Sequence, residues 1–549
     1  MGLKLTLASL SVLGVLSGFV VAILLVISYL GGNFSWPFMI GITILFNLIM
    51  WLLSPIIQDL IYKFVYGVEF HNLEDLAGKK KYFLSLKKLC DRHNVRYPRV
   101  GVIDDLNPTA FTYGSTKNNA RIIFTRGLEH FLDEEEIEAV LAHELGHVVH
   151  RDFIFMTIAS TIIQLLYEAF SISLRLSMFG GNKNNDENKN GGAYWIVVAI
   201  ISYVFYVIGT YMVLFLSRIR EYYADEFSAK ETKNPNALSY ALLKIAYGIT
   251  QIPKDPKVKG KIKSQLLSST NALGIFDVNS ANEIGMSYSN SKKGGKEIIS
   301  QTLLYDVINP WAGFMELSST HPLIGKRIMR LDRLSSKPVV DFGSLKSNVN
   351  TKKLWENFFT DFFVTKVPTL LFLGAVVVGL MNMVFKLNIL FYAWILFIGY
   401  SVMAIFRLNY MYSRAVFHDA TTANLMTDLY ASPVRGKPIV LKGAVIGRGE
   451  PGLVISEDMM YQDKTGIIFL NYESNIPIIG NWLFGAKEHS ELHGVDSTIR
   501  GWFFRGAGHY VDLLDYNSSK KHIKSAVRFW AGFWMVAKII ILAVIVALL

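Results

Sequence analysis

Seven apolar runs constrain this chain more than any other feature of it. They are Leu5–Leu30, Trp36–Leu53, Phe153–Leu176, Tyr194–Leu216, Phe363–Phe385, Leu387–Phe406 and Phe529–Leu549. A bilayer crossing needs roughly 20 consecutive apolar residues, and these runs meet or approach that length. Glu168 and Lys366 interrupt two of them without breaking them. The sequence is 51% hydrophobic, with a mean hydropathy of +0.32. The expectation is an α-helical polytopic membrane protein of seven spans. The first run is too long for a cleaved leader and is followed at once by a second, so it reads as a retained signal anchor.

Charge sets the expected topology. Lysines and arginines crowd the segment 54–152, whereas the loops 31–35 and 180–193 carry only Lys183 and Lys189. The positive-inside rule then places 54–152, 218–362 and 407–527 in the cytoplasm. The net charge of +11 follows from this loop asymmetry, and no nucleic-acid partner is expected. Cys90 is the single cysteine, which excludes an internal disulfide framework and fits a reducing compartment.

The expected order is a transmembrane hairpin at 1–53, a core segment at 54–335 that includes a second hairpin at 153–217, a third hairpin at 363–406, a β-rich domain at 430–520 and a last span at 528–549. The polar tract 180–192 reads as a flexible turn, and 251–300 reads mostly as loop. Between 436 and 515, short β-rich runs such as "GIIFLNY" and "TIRGWFFRG" are split by Gly, Pro and Asp. That rhythm predicts a small barrel of OB or SH3 type. Aromatic residues in such a barrel are core or a binding face, and the spacing leaves both open.

Chemistry concentrates in "DEEEIEAVLAHELGHVVHRD", 133–152. Asp133 and Glu136 have the spacing of a capping box, and the acidic first turn suits a helix N-terminus. His143 and His147 are four apart, so a helix puts both on one face. Incidental histidines would have to produce H-E-x-x-H by chance, on the order of one in a hundred for a chain of this composition. Two imidazoles so placed bind Zn²⁺, with Glu144 facing a water. A catalytic site needs a third protein ligand. "SRIREYYADEFSAK", 217–230, offers Glu221 and, four residues on, Asp225. The span starting at Phe153 and the span ending near Leu216 bring both motifs to the same end of one hairpin. Glu221 then lies roughly 6 Å of helix past the membrane edge. The expected roles are His143, His147 and Glu221 as ligands of one zinc ion and Glu144 as the base. Asp225 either orients a ligating histidine or is a solvated helix carboxylate.

"HELGHVVHRD", "SRIREYYADEFSAK" and "SSTHPLIGKRI", in that order, resemble the HtpX-type membrane zinc metalloproteases, which are related to the CAAX prenyl proteases. The resemblance covers about residues 1–335. It implies a gluzincin-like zincin fold, mainly α with a small sheet, and cleavage of membrane or misfolded proteins in a prokaryotic cell membrane, with the active site facing the cytoplasm. It also implies that "PTAFTYG", 108–114, is an edge strand on which substrate lies extended. Ala110, Phe111 and Gly114 match the family pattern there, and Thr109 replaces its usual Asn. His321 matches a third family motif and either stabilises an oxyanion or shapes the cleft. Arg327 reads as structural. Two other functions stay open: a specific processing or signalling protease of CAAX type, and a zinc-containing membrane scaffold whose C-terminal domain binds a partner. Zinc and the bilayer are expected in all three.

Overall fold

The computed structural model describes residues 9, 11–20, 22–23, 36–179, 191–251, 296–448, 457–506 and 508–548. The polar tract at 180–190, most of the segment 251–300 and much of the first apolar run lie outside them. The described chain divides into two compact units, one of residues up to 251 with 316–339, the other of 296–315 with 340 onward. Among the described residues, six helices are long and apolar enough to cross a membrane: Thr43–Tyr66, Asp152–Met178, Tyr194–Thr232, Thr351–Met383, Leu390–Met411 and Val527–Leu548. Of the first apolar run, α1 (Ser11–Val20) is a shorter apolar helix.

In the first unit, α2 spans Trp36–Tyr66 and passes through Pro55. It therefore runs beyond the expected end at Leu53. The extension has a packing cause. Tyr62 and Tyr66 are buried against Val68, Ile103, Phe111, Tyr113 and Ile123, with the Tyr62 ring 5.3 Å from Phe111 and 5.4 Å from Tyr113. Burying side chains of this size contributes about 1.5–3 kcal/mol each. Asp59, one turn earlier, accepts from Tyr113 Oη at 2.7 Å and from Arg121 Nη2 at 2.9 Å.

Those partners belong to a four-stranded sheet, β1 (Glu69–His71), β2 (Arg99–Ile103), β3 (Ala110–Tyr113) and β4 (Arg121–Thr125), in the order β1-β2-β4-β3. β3 is an edge, antiparallel to β4. After α3 (Lys81–Arg92) and the sheet comes α4, Glu134–Val149. The capping box forms: the Asp133 side chain accepts from Glu136 N, and Glu136 accepts from Asp133 N. Two long helices follow, α5 (Asp152–Phe179) and α6 (Gly191–Thr232). A side chain at Gly146 would meet Ala224 Cα at 3.2 Å, so the glycine lets the α6 backbone lie directly on α4. The unit is completed by α7 (Pro235–Gln251) and α8 (Ile324–Asp332).

In the second unit, α9 (Thr351–Phe385) and α10 (Leu390–Met411) form a hairpin. The strands are β5 (His418–Asp419), β6 (Lys437–Arg448), β7 (Met459–Gln462), β8 (Ile467–Asn471), β9 (Asp496–Arg505), β10 (His509–Ser518) and β11 (His522–Lys524). β6 pairs with β7, β7 with β8, β8 with β10, β10 with β9 and β9 back with β6. The ring is a closed five-stranded barrel, antiparallel except for β8–β10. Its interior holds Leu441, Tyr461, Leu470, Ile499, Phe503, Val511 and Tyr516, among others. α11 (Ile479–Leu483) lies in the β8–β9 connection, and α12 (Val527–Leu548) ends the unit.

His509 is buried in this barrel. Burial, with the Arg505 cation adding to it, depresses its basicity from 6.5 to about 3. The fold holds it neutral, so the unfolded chain takes the proton first as pH falls. The stability it contributes is complete above about pH 6.5 and is lost downward toward about pH 3, by ~1.4 kcal/mol per pH unit. We expect hydrogen-exchange protection of β9 and β10 to fall between pH 7 and pH 5, and His509→Gln to flatten that slope. Protection equal at both pH values in the wild type would contradict the assignment.

Candidate metal centre

Four elements of the first unit build the site. α4 carries His143, Glu144 and His147, all buried or nearly so, and α6 carries Glu221 and Asp225, both buried. β3 packs on α4, and the segment before α8 carries His321. The two histidines present Nε2 atoms 3.2 Å apart. Glu221 Oε2 lies 3.6 Å from His143 Nε2, and Glu221 Oε1 lies 3.4 Å from His147 Nε2. The edge of a tetrahedron with bonds of about 2.0–2.1 Å is ~3.4 Å, so these separations suit three ligands of one zinc-sized ion.

What holds the imidazoles makes the fit more specific. His143 Nδ1 lies 3.0 Å from Asp225 Oδ1, and His147 Nδ1 lies 2.6 Å from Asp152 Oδ2. Each Nδ1 facing a carboxylate carries the proton, which turns both Nε2 lone pairs toward the same point. Arginines hold the carboxylates in turn. Arg327 donates to Asp225 from Nε at 2.9 Å and from Nη2 at 2.6 Å. Arg220 donates to Asp152, to His150 O at 3.0 Å and to Ser9 Oγ at 2.6 Å. The site is thus two parallel relays, His143–Asp225–Arg327 and His147–Asp152–Arg220. Glu144, Glu221, Asp225 and Asp152 are four buried carboxylates against three buried guanidinium groups, those of Arg218, Arg220 and Arg327. The imbalance calls for a further cation, since uncompensated buried charge is costly. His143 registers the same field. Burial opposes its protonation, yet Asp225 and Glu221 outweigh burial and raise it to about 9.

The expected residues fall as follows. His143, His147, Glu144, Glu221, Asp225 and His321 converge. His321 Nδ1 lies 3.3 Å from Glu221 Oε2, and its loop is pinned by Arg218, which donates to Glu316 O and Ser319 O, each at 2.7 Å. Asp225 is buried and paired, not a solvated carboxylate. Ala110 and Phe111 are both buried; the Phe111 ring packs under Tyr62, and a side chain at Gly114 would press on Asn119. What β3 leaves open is backbone. Thr125 N donates to Thr109 O at 3.0 Å, and hydrogen-bonded pairs alternate along an antiparallel ladder. The N–H and C=O groups of Ala110 and Thr112 therefore face the free edge.

Three participants escape the sequence argument. Asp152 is five residues from His147, out of helical register; it reaches back because Arg151 adopts a left-handed conformation (φ 58°) between α4 and α5. Arg220 serves Asp152. Thr112 donates from Oγ1 to Glu144 Oε2 at 2.5 Å. Asp152→Asn keeps the shape but removes the charge behind His147. We expect zinc affinity to drop roughly 10–100-fold with the fold retained, measured by competition with a chelator. Unchanged affinity would remove Asp152 from the centre.

Comparison with known proteins places this geometry. The profile of peptidase family M48 matches residues 82–335. The chain is 33% identical over 253 residues to a protease HtpX homolog of Aquifex aeolicus, covering 46% of this chain and 70% of that one. It is 32% identical to a protease HtpX homolog of Methanothermobacter thermautotrophicus over 45% of this chain and 87% of the other, and 30% identical to one of Aeropyrum pernix over 53% and 83%. With these relatives, the apolar helices of spanning length and the paired histidines and carboxylate able to hold a metal mark the chain as a membrane metalloprotease. The chain belongs to the HtpX-type proteases of peptidase family M48, with residues 336–549 lying beyond the family match.

Proposed function

We propose that the protein is a zinc endopeptidase that cleaves membrane or misfolded proteins at the cytoplasmic surface of the membrane. The observation that carries this is the pair of Nε2 atoms 3.2 Å apart, each ring fixed by a carboxylate behind it, with both oxygens of Glu221 alongside. His143, His147 and Glu221 hold the ion. Zinc bound there supplies Lewis-acid activation of a water and of the scissile carbonyl. Glu144 takes the proton of the attacking water and delivers it to the leaving amine. Thr112 aims the Glu144 carboxylate. The Nε2 atom of His321 has no hydrogen-bond partner among the described residues and donates to the carbonyl oxygen as it gains charge. Substrate lies extended along β3 and pairs with the free groups of Ala110 and Thr112. Main-chain pairing tolerates many sequences, which suits a broad role in membrane protein quality control. The closed ring with one parallel strand pair favours an OB-type barrel for the C-terminal domain.

Two experiments test this. Membrane-fraction proteomics of cells with the active or the Glu144→Gln chain should show membrane proteins accumulating only with the latter; identical profiles would contradict the quality-control role. For orientation, a cysteine at exposed Ser519 in a Cys90→Ser chain should label only from the cytoplasmic side, and labelling from the outside would overturn it.

A further inference from the structure

We infer that the β8–β9 connection of the C-terminal barrel is a membrane-inserting loop that seats the barrel on the lipid surface. From Ser474 to Ala486 the sequence SNIPIIGNWLFGA carries no charge. Its base is rigid. Phe484 stacks on Tyr472 with centroids 4.1 Å apart. Asn481 accepts from Ser474 N at 2.8 Å and donates to Glu473 Oε2 at 2.9 Å and Glu457 Oε1 at 3.1 Å. Its tip turns apolar side chains outward: Ile476 is 63% exposed, Ile478 83%, Ile479 64% and Trp482 51%. Contiguous large apolar groups on a soluble surface are unfavourable unless something covers them.

The position of the loop says what covers it. The chain entering the loop is bonded to the segment that opens α12, a helix long and apolar enough to span. Ala526 N donates to Glu473 O at 2.7 Å, and Trp530 Nε1 donates to Ser474 O at 2.9 Å. Trp530 is the fourth residue of α12, about one helical turn into it. The loop base therefore sits at the depth where Trp anchors a span at the lipid–water boundary. Around it α12 exposes Phe529, Phe533 and Trp534, so the apolar tip continues the lipid-facing surface of the helix. Lys524, exposed at the end of β11 three residues before α12, supplies a cation at the rim, which favours anionic headgroups. A Trp among isoleucines above a cation at the rim is the composition of an interfacial anchor. The occupant is the bilayer itself. The inference is independent of the metal centre.

The test uses the full chain with Cys90 replaced by Ser, reconstituted in vesicles of phosphatidylcholine and phosphatidylglycerol. A single cysteine at Ile478 carries an environment-sensitive fluorophore; a parallel chain carries it at exposed Lys464 in the β7–β8 turn. The 478 probe should emit to the blue of the 464 probe, be quenched by shallow spin-labelled lipid, and be several-fold less accessible to iodide. Equal iodide quenching at both positions, with no lipid quenching at 478, would overturn the inference. So would shielding of 478 from both quenchers with self-quenching between labelled copies, because that places a second chain on the patch. A probe at Ile476 repeats the measurement should Ile478 prove intolerant of substitution.

Discussion

Glu144→Gln is expected to abolish peptide hydrolysis while the protein keeps its fold and its zinc. The substitution preserves size, and the amide oxygen can still accept from Thr112 Oγ1, which bonds Glu144 at 2.5 Å in the wild type. What it removes is the group proposed to take the water proton. Loss of a general base costs at least ~10²–10⁴ in rate. Turnover of an unfolded peptide, measured beside the zinc content of the same preparation, gives the answer. Full turnover with zinc present would remove Glu144 from the mechanism.

Glu221→Ala is expected to lose zinc and activity together. Glu221 places one oxygen 3.4 Å from His147 Nε2 and the other 3.6 Å from His143 Nε2, and no other carboxylate among the described residues joins the two histidines in a metal-sized cluster. Asp225 behaves differently because it acts through His143. Asp225→Ala also strips fully buried Arg327 of its bidentate partner, and an uncompensated buried charge costs about 3–5 kcal/mol. Asp225→Asn is therefore the informative change, with weakened zinc binding and a retained fold. Dialysis against a chelator followed by metal analysis separates the variants. Stoichiometric, tightly held zinc in Glu221→Ala would mean that the third ligand lies elsewhere.

The parts of this site legible in the sequence are those set by local periodicity. His143 and His147, and separately Glu221 and Asp225, share helix faces because they are four apart. The hairpin between them made their meeting foreseeable. Asp152 was hidden because its reach to His147 depends on the left-handed Arg151 that ends α4, and nothing in a helical pattern announces that break. Arg327 could be assigned a structural role but not a partner, since its 102-residue separation from Asp225 is bridged only by tertiary packing. The edge strand shows the same limit in another form. The family resemblance implied an edge strand within 108–114, and the strand is Ala110–Tyr113, but alternation decides which side chains face inward. Phe111 and Tyr113 turn toward Tyr62, while Ala110 and Thr112 turn toward α4, so the strand offers backbone at its open edge.

The fold divides along similar lines. Six of the seven expected spans appear as long apolar helices, and of the seventh, about half of which lies outside the described residues, Ser11–Val20 is a shorter apolar helix. The overrun of α2 to Tyr66 was not legible, because Asp59 and Lys63 resemble a membrane boundary in sequence, whereas Asp59 is bonded to Tyr113 and Arg121 of the sheet. Short strands between turns announced a β-rich domain, but the β8–β10 and β6–β9 pairings that close it are non-local and carry no sequence signature of their own.

The most direct test of the account is the zinc absorption edge of the purified full chain. It predicts one zinc per chain, two imidazole nitrogens at about 2.0–2.1 Å, carboxylate and solvent oxygen completing the shell, and no sulfur. In Glu221→Ala that signal should vanish with the metal. A sulfur scatterer, a single imidazole, or an unchanged spectrum in the variant would contradict the assignment of His143, His147 and Glu221 as the centre.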